Sequence, residues 1–265
     1  SLPLGNLQDY GGPTWTMGLP VGSPAIDAGD DNVCAAPPIN GVDQRGFVRP
    51  EGSACDIGAF EATQCSPSVV VTNLNDSGVG SLRHAIFDVC PSGTITFDSA
   101  LTAGGAAAIS LASTLDIAKN MTIAGPGAQL LSLNGGGAVR VLKVEAGATV
   151  ALSGLTVANG FANSWPTGGG GILNEGVLTI ADAAFRNNSS GLAYGGAIYN
   201  NATMTITNGV FASNTGQFGG AIYTFTPLQI TGGVFSANLA NDSGGAIYAQ
   251  GAAAVAGSTF TGNNA

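Results

Sequence analysis

The side chains that could carry out catalysis are few in this sequence. Residues 161–265 contain three acids and one base, which are Glu175, Asp182, Asp242 and Arg186. Enzymes that cleave polysaccharides need two or three carboxylates close together, or calcium beside a base. These four residues fall at different phases of the repeat described below. We therefore expect that they do not converge and that the chain is not an enzyme.

The single histidine, His84, lies beside Arg83 in a segment that predicts a short helix around residues 81–89. A catalytic histidine needs a nucleophile or an orienting acid as a partner, and the local sequence indicates none. His84 is therefore predicted to be a surface residue or part of a cap over the end of the fold.

An acidic loop, DAGDDNVC, offers a second kind of chemistry. Its carboxylates are Asp27, Asp30 and Asp31. Oxygen-rich loops can bind calcium, although this spacing is not that of an EF-hand. The favoured interpretation is that these are turn residues bonded to their own backbone, with calcium as the alternative and no other cofactor. Nearby, Asp43, Arg45 and Arg49 are expected to form a structural ion pair.

The four cysteines, Cys34, Cys55, Cys65 and Cys90, all lie in the first third of the chain. Their spacings match no zinc motif of the C-x-x-C kind. Two disulfides are favoured, Cys34 with Cys55 and Cys65 with Cys90, because each closes a local loop. Four buried free thiols are the alternative. Disulfides indicate an oxidising, extracellular or cell-surface environment.

Composition excludes two classes of partner. The net charge is −9 and only 7 residues are basic, so the chain cannot neutralise a nucleic-acid backbone. No apolar run approaches the roughly 20 residues of a membrane helix, and residues 1–20 lack the layout of a signal peptide. A chain with 45% hydrophobic residues and 9% charged residues can instead bury a large core.

A repeat organises the second half of the chain. The motif GGAI, or GGGI in its first copy, recurs with its isoleucines 26, 24 and 25 residues apart. A second motif, F-x-x-N, keeps the same three spacings. The members are Ile172, Ile198, Ile222 and Ile247, then Phe185, Phe211, Phe235 and Phe260, and finally Asn188, Asn214, Asn238 and Asn263. Two motifs that recur together at the same spacings predict a solenoid.

Each repeat contains three short strands and no helical pattern. The fold class predicted is all-β, a right-handed parallel β-helix with about 25 residues per turn, plus a disulfide-containing N-terminal segment. The isoleucines and phenylalanines should form inward columns, and the asparagines a hydrogen-bonded ladder that also makes a corner. Residues 65–160 are expected to start the β-helix, with the short helix as a cap, and 161–265 to form its regular turns.

Tyr199, Tyr223 and Tyr248 each follow an inward isoleucine. Because strand side chains alternate between faces, these tyrosines are predicted to form an exposed aromatic row. One interpretation is a binding face for a glycan or a protein; the favoured one is stacking that only stabilises the sheet.

These motifs carry a family resemblance. The GGAI and F-x-x-N pair resembles the repeats of polymorphic outer-membrane proteins, surface adhesins with a right-handed β-helix. The stretch VTNLNDSGVGSLRHAI is similar to the opening of bacterial surface β-helix modules. GNLQDYGGPTWTMGLPVGSPAIDAGD and DQRGFVRPEGSACDIGAFE resemble their closing segment, the choice-of-anchor domain. The resemblance implies a bacterial surface protein in which residues 1–64 are a closing-type segment placed before the opening one.

This order suggests the function. A last turn that ends near Phe260 exposes strand edges and the inner face of Val255. We expect identical subunits to join head to tail, with residues 1–64 of one copy docked on the last turns of the next, giving a cell-surface fibre. The alternative is an adhesin module that binds glycan or protein through an exposed face. A polysaccharide-degrading enzyme and an ice-binding protein are less favoured interpretations.

Overall fold

The computed structural model describes residues 3–20, 22–62, 65–162 and 167–265. The chain divides into two compact units, Ser1–Cys90 and Pro91–Ala265. The boundary predicted between residues 64 and 65 falls inside the first unit and beside residues outside the described ranges. Among the described residues, no helix is long and apolar enough to cross a membrane.

The first unit is rich in loops and contains little regular structure. Its elements are β1 (Leu7–Gln8), β2 (Thr16–Met17), α1 (Asp31–Ala35), β3 (Ser66–Val71) and α2 (Leu82–Asp88). Strands β1 and β2 pair antiparallel. Helix α2 confirms the short helix predicted from the sequence, and it begins where the Ser81 hydroxyl accepts a hydrogen bond from the His84 amide, as N-cap serines do.

The second unit consists almost entirely of short strands. Strand β4 (Val89–Phe97) begins at the end of the first unit, and a 3-10 helix spans Ser99–Thr102. The strands that follow are β5 (Ala107–Ser110), β6 (Leu115–Ile117), β7 (Met121–Ala124), β8 (Leu131–Asn134), β9 (Leu142–Val144), β10 (Thr149–Ser153), β11 (Thr156–Ala158), β12 (Ile172–Asn174), β13 (Val177–Ala181), β14 (Ala184–Arg186), β15 (Ile198–Asn200), β16 (Met204–Thr207), β17 (Val210–Ala212), β18 (Thr215–Phe218), β19 (Ile222–Thr224), β20 (Leu228–Thr231), β21 (Val234–Ser236), β22 (Leu239–Ser243), β23 (Ile247–Ala249), β24 (Ala253–Ala256) and β25 (Thr259–Thr261).

These strands form three parallel sheets that run along the solenoid axis. In the described part of this unit, the first sheet has the order β4-β7-β10-β13-β16-β20-β24, the second β5-β8-β11-β14-β17-β21-β25 and the third β6-β9-β12-β15-β19-β23. A short fourth sheet pairs β18 with β22. Each coil of the chain therefore adds one strand to each main sheet. The fold is a parallel β-solenoid of about seven turns, which confirms the predicted fold class; its handedness stays a prediction.

The repeat motifs set the register between coils. Ile198 pairs with Ile172 and Ile222, and Phe211 pairs with Phe185 and Phe235. Like residues therefore stack on like residues, and the inward columns predicted from the sequence are confirmed. The fully buried members include Ile172, Ile198, Ile222, Phe185, Phe211 and Phe235. Two further buried columns lie in the first sheet: one contains Leu178, Met204 and Leu228, and the other contains Ile180, Ile206 and Ile230.

Each coil turns at three left-handed residues: one lies between the first and second sheets, at Asp182, Asn208 and Gly232, and two lie at the repeat motifs. The first glycine of each GG pair has a positive φ, +61° at Gly195 and +66° at Gly219, which a side chain would strain. The second corner differs from the prediction that the ladder asparagines themselves turn the chain. The left-handed residue lies one position earlier, at Asn187, Ser213 and Ala237. The asparagine that follows is thereby free to point inward.

Candidate functional site

The asparagine ladder is a continuous hydrogen-bonded column along the solenoid. Asn188 donates from its backbone N–H and from Nδ2 to Oδ1 of Asn214, both at 3.0 Å. Asn214 makes the same pair of bonds to Asn238, at 3.0 and 2.9 Å. Asn238 repeats them to Asn263, at 3.0 and 2.8 Å. The predicted ladder is confirmed.

Each ladder amide also bonds to the previous coil. Nδ2 of Asn214 donates to the carbonyl of Phe185 at 3.0 Å, and Nδ2 of Asn238 donates to that of Phe211 at 2.9 Å. The carboxamide of one asparagine thus forms hydrogen bonds with both the preceding and the following coil, and its own oxygen and nitrogen are both paired. Because buried polar groups without partners destabilise a fold, each asparagine fixes its coil against both neighbours.

Beside the ladder runs a stack of phenyl rings. The ring centroids of Phe185 and Phe211 lie 4.7 Å apart, and those of Phe211 and Phe235 lie 4.8 Å apart, with nearly parallel planes. Phe260 continues the stack at 4.8 Å from Phe235. The first three rings are buried, whereas Phe260 is 49% exposed because no further ring covers it among the described residues.

A second polar ladder was not predicted. Asn174 donates from Nδ2 to Oδ1 of Asn200 at 2.6 Å, and Asn200 donates to Oγ1 of Thr224 at 2.9 Å. All three side chains are fully buried. The signal in the sequence is the residue two positions after each GGAI isoleucine, which changes from Asn to Thr and then to Ala249. A column of unlike residues is hard to recognise from one sequence.

The last coil is open at one face. Within the described ranges, β23, β24 and β25 are each the terminal strand of their sheet, so one edge of each has no partner. Their inward residues Ile247, Val255 and Phe260 line a concave surface together with Gly244 and Asn263. Val255 is 41% exposed, although its counterpart in the preceding coil, Ile230, is buried. The predicted exposure of Val255 and Phe260 is confirmed.

The tyrosine row is buried, which corrects the prediction that it is exposed. Tyr199, Tyr223 and Tyr248 stack with parallel rings on the outer face of the third sheet, at 5.7 and 5.4 Å between centroids. Tyr199 is only 5% exposed and Tyr223 2%, while Tyr248 is half-buried. The cause is a layer of aromatic residues outside the third sheet, Tyr194, Phe218 and Phe225, which packs over the row.

Burial changes the acidity of the tyrosines. It raises the pKa of Tyr223 to about 12, with the neighbouring tyrosines as a lesser cause, and it raises the pKa of Tyr199 as well. The Tyr223 hydroxyl accepts a hydrogen bond from Nε2 of Gln250 at 2.8 Å. Such a packed, protonated aromatic layer supports the interpretation that the row stabilises the sheet.

The carboxylates of the acidic loop in the first unit accept hydrogen bonds from backbone amides, one within the loop and two in the segment that contains Cys55. Asp30 caps α1 by accepting a hydrogen bond from the Asn32 amide, and Asp31 accepts one from the Cys55 amide at 2.7 Å. Asp27 accepts a long one from the Ala54 amide. No group of three His, Cys, Asp or Glu residues that could hold a metal ion occurs in the part of the chain that the structure describes. The three carboxylates do not converge as a calcium site requires.

A buried ionic network holds the loops of the first unit. Asp43 pairs with Arg45 at 2.7 Å, as predicted, but Arg49 pairs with Glu61 at 2.9 Å rather than with Asp43. The Arg45 guanidinium lies 3.6 Å from the centre of the Phe60 ring, a cation–π contact. Nearby, burial raises the pKa of Asp56, whose carboxylate accepts hydrogen bonds from two backbone amides.

The other candidate reactive residues are dispersed. His84 lies on α2, where Nδ1 contacts Asp88 at 2.5 Å. Of the two positions predicted for it, on the surface or in a cap, the surface is wrong because the side chain is buried. Glu175 forms an ion pair with Lys143 at 3.2 Å, and Lys143 forms a second ion pair with Glu145. Three further residues lie elsewhere: Asp182 accepts a hydrogen bond from Asn208, Asp242 accepts one from Ser243, and Arg186 ends β14.

Both predicted disulfides are present. Cys34 is bonded to Cys55 and Cys65 to Cys90, and no cysteine among the described residues is free. Disulfides of this kind persist in oxidising compartments and fit a secreted or extracellular protein.

The first unit also presents an apolar face. Leu7 and Met17 are opposite each other in the β1–β2 hairpin, and Trp15 immediately precedes β2. All three side chains are exposed, with Trp15 at 63%. Thr16, which alternates with them, is buried. A two-stranded hairpin with one exposed apolar side is typical of a contact surface.

Comparison with known proteins gives no relative: no family model, no curated protein and no solved structure matches this chain.

Proposed function

We propose that this chain is an extracellular structural protein whose copies assemble head to tail into a fibre. The observation that carries the proposal is the exposed apolar face of β1 and β2, where Leu7, Trp15 and Met17 are all uncovered. The surface proposed to receive it is the coil formed by β23–β25, whose strand edges and inward apolar side chains match those that each preceding coil buries against its neighbour. A partner that continues the solenoid would satisfy both the strand edges and the apolar surface.

The free energy available at this surface is considerable. Full burial of a Val or Phe side chain stabilises by about 1.5–3 kcal/mol, so covering Val255 and Phe260, each nearly half exposed, contributes on the order of 2 kcal/mol. Unpaired strand edges add backbone hydrogen bonds, the usual basis of strand addition. Two different surfaces that meet head to tail do not close on themselves, and such a contact produces a fibre.

The complementary surface belongs to residues 1–64 of a second copy. Within that segment, the hairpin face formed by Leu7, Trp15 and Met17 is the exposed apolar side of a ready-made strand pair. Trp is among the residues that contribute most to interfaces. The docking of this hairpin on β23–β25 of another copy is therefore the joint that we propose.

The proposal also includes an extracellular location and a kinship with bacterial surface β-helix proteins. The two disulfides support an oxidising environment outside the cell. The GGAI and F-x-x-N repeats resemble those of bacterial surface β-helix proteins, and the confirmed solenoid fits that resemblance. A structural role needs no cofactor or metal, and the separate partners of Glu175, Asp182 and Asp242 support a protein without catalysis. The buried tyrosine row gives little support to an adhesin that binds ligands there.

The experiment combines electron microscopy with sedimentation of the full chain and two charged variants. We expect the wild type to form fibres with an axial repeat of one subunit, and Val255→Asp to abolish them. Val234→Asp is the matched control, because Val234 is also a strand valine exposed to 41% but faces outward. Isolated rods at every wild-type concentration, or fibres that survive Val255→Asp, would refute the proposal.

A mixing experiment tests the two surfaces separately. Trp15→Asp should remove the hairpin side of the joint while leaving the open coil intact, and Val255→Asp should do the reverse. Each variant alone should stay monomeric. An equimolar mixture can form one functional joint per pair, so it should give dimers and no longer species. A mixture that remains monomeric would exclude the hairpin as the partner of the open coil.

A further inference from the structure

The long connections of the solenoid coils lie on one flank, and we infer that a groove on this flank binds a neutral glycan chain. The flank, called the loop flank below, is formed by the connections that lead from the second sheet to the third. The side chains that line the groove include Asn134, Asn159, Phe161, Asn187 and Ser189. This inference goes beyond the proposed assembly and does not depend on it.

The connections between the main sheets differ strongly in length. From β10 onward, each connection from the first sheet to the second has two residues, and from β12 onward each connection from the third sheet to the first has two or three. The connections from the second sheet to the third have 9 to 13 residues and span 159–171, 187–197, 213–221 and 237–246. Repeat proteins place such insertions on one face, which is often their binding face. The loop flank is therefore where a ligand site is expected.

The connections of the loop flank carry almost no charge. In these four ranges and in 135–141, which connects β8 to β9, the only charged residues are Arg140 and Asp242. Neither of them lines the groove. Gly, Asn, Ser and Thr make up most of the other residues. Antibody loops use Ser, Gly and Asn in the same way, for adaptable hydrogen bonding to a ligand.

Backbone hydrogen bonds fix the walls of the groove. Its volume is about 370 Å³, within the range of clefts that bind small molecules. The turn after β8 is held against the following coil, because the N–H of Gly137 donates to the carbonyl of Asn159 at 2.7 Å and that of Phe161 donates to the carbonyl of Val139 at 2.8 Å. Asn159 and Asn187 are left-handed corner residues, with φ of +51° and +54°. The groove is therefore formed by the solenoid itself and precedes any ligand.

Polar groups of the lining side chains remain available to a ligand. The carboxamide of Asn187 is exposed and makes no hydrogen bond to another described residue. Asn159 donates from Nδ2 to Oδ1 of Asn134 at 3.1 Å, which leaves Oδ1 of Asn159 and Nδ2 of Asn134 without partners among the described residues. The Ser189 hydroxyl accepts from the Gly191 amide at 3.2 Å and can still donate. Both donors and acceptors thus line one groove.

This combination of groups matches the chemistry of a sugar. A sugar hydroxyl both donates and accepts hydrogen bonds, as the carboxamides of Asn134, Asn159 and Asn187 do together. The C–H face of a sugar ring is apolar and packs on an aromatic ring, and Phe161 provides a half-buried ring in the groove. A protein partner fits less well, since protein interfaces depend on large anchors that fill buried pockets.

The absence of charge defines the class of glycan. No charged side chain is among the described residues that line the groove. An acidic polysaccharide would lose water around its carboxylates there without gaining a positive partner, which is unfavourable. The occupant is therefore a neutral polysaccharide, whose chain continues beyond a groove that holds one or two of its rings.

The test is an NMR titration of this chain with neutral oligosaccharides of glucose, mannose and N-acetylglucosamine, and with oligogalacturonate as the acidic comparison. We expect at least one neutral oligosaccharide to shift the side-chain amide signals of Asn159 and Asn187 saturably. Asn187→Ala should weaken its binding about fivefold or more, because it removes the unpaired carboxamide. Phe161→Leu keeps an apolar side chain but removes the ring face, and should weaken binding about threefold.

The variants are chosen so that a change in binding is not a change in folding. Alanine is compatible with the left-handed corner at 187, since Ala237 occupies the same position of its coil with φ of +51°. Asn208→Ala is the matched control, because Asn208 is also an exposed, left-handed corner asparagine but lies outside the groove; it should leave the affinity within about twofold of wild type.

Three results would overturn the inference. The first is that no neutral oligosaccharide binds at concentrations up to about 10 mM. The second is an affinity that Asn187→Ala and Phe161→Leu both leave unchanged, which would place the sugar elsewhere. The third is tighter binding of oligogalacturonate than of every neutral oligosaccharide, which would contradict the assigned class of ligand.

Discussion

Replacement of Asn214 by alanine should be among the most destabilising polar substitutions in this protein. Asn214 occupies the middle of the ladder and is completely buried. Its side chain accepts two hydrogen bonds from Asn188, donates one to Oδ1 of Asn238 and donates one to the carbonyl of Phe185. Alanine cannot replace any of these four bonds.

The loss in free energy of unfolding can be estimated from the polar groups that Asn214→Ala leaves without partners. The substitution leaves the N–H and one Nδ2 hydrogen of Asn188 without an acceptor, and the Phe185 carbonyl without this donor, whereas Oδ1 of Asn238 still accepts from the backbone N–H of residue 214. Each buried group that loses its partner costs about 1–3 kcal/mol. Three such groups give at least about 3 kcal/mol, and partial relaxation holds the expected loss to about 3–5 kcal/mol.

Denaturant unfolding and hydrogen exchange together measure this effect. Asn201→Ala is the control, because Asn201 is exposed on the same solenoid and a surface substitution usually changes stability by less than about 0.5 kcal/mol. Coils of a solenoid can open separately, so the amide of Asn188 should also exchange faster in the Asn214 variant. A loss below about 1 kcal/mol, or an unchanged exchange rate at Asn188, would refute the reasoning that the ladder stabilises the stack.

Two further predictions test the aromatic columns. Phe211→Ala removes a buried ring stacked on both sides and should lower the free energy of unfolding by about 3–5 kcal/mol. Phe260 is half exposed and has one stacked neighbour, so Phe260→Ala should lower the free energy of unfolding of the monomer by only about 1–2 kcal/mol. Equal losses in the two variants would contradict the expectation that a ring stacked on both sides contributes more. The pKa of Tyr223 is about 12 in the folded protein and about 10 in the unfolded chain. Because the unfolded chain loses this proton at a lower pH, the free energy of unfolding should fall as the pH rises from about 10 to about 12. Ultraviolet titration of tyrosinate should show a late component that Tyr223→Phe removes, and its persistence in that variant would assign it to another tyrosine.

The regular part of the fold could be predicted because identical residues recur at a fixed spacing. A column that stacks isoleucine on isoleucine or phenylalanine on phenylalanine has to repeat in the sequence at the length of one coil. The same logic predicted the asparagine ladder, whose members Asn214 and Asn238 bond as expected. The two disulfides were predictable because each closes a short loop.

What the sequence could not reveal lies where the repeat is broken. Alternation correctly places the tyrosines on the outside of the third sheet, but it cannot show that loop residues such as Tyr194 and Phe225 cover them. Tyr194 and Phe218 each precede the GG pair of their coil, 24 residues apart, but the neighbouring coils have Gly168 and Ser243 at this position, so the signal is only two residues long. In the first unit, Glu61 bonds to the amides of Glu51 and Asp56 and to Arg49, contacts that depend on how irregular loops cross and that no periodicity encodes.

The open coil differs from a protected sheet edge in a way that favours assembly. Proteins usually prevent unwanted strand pairing at an edge with charged residues, especially lysine, or with proline. The segment from Ile247 to Thr261, which contains all three terminal strands, has no charged residue and no proline. Its inward residues Val255 and Phe260 continue the columns of the preceding coils without a substitution that would end them. An edge of this composition lacks the usual barriers to strand pairing, and the proposed assembly requires such an edge.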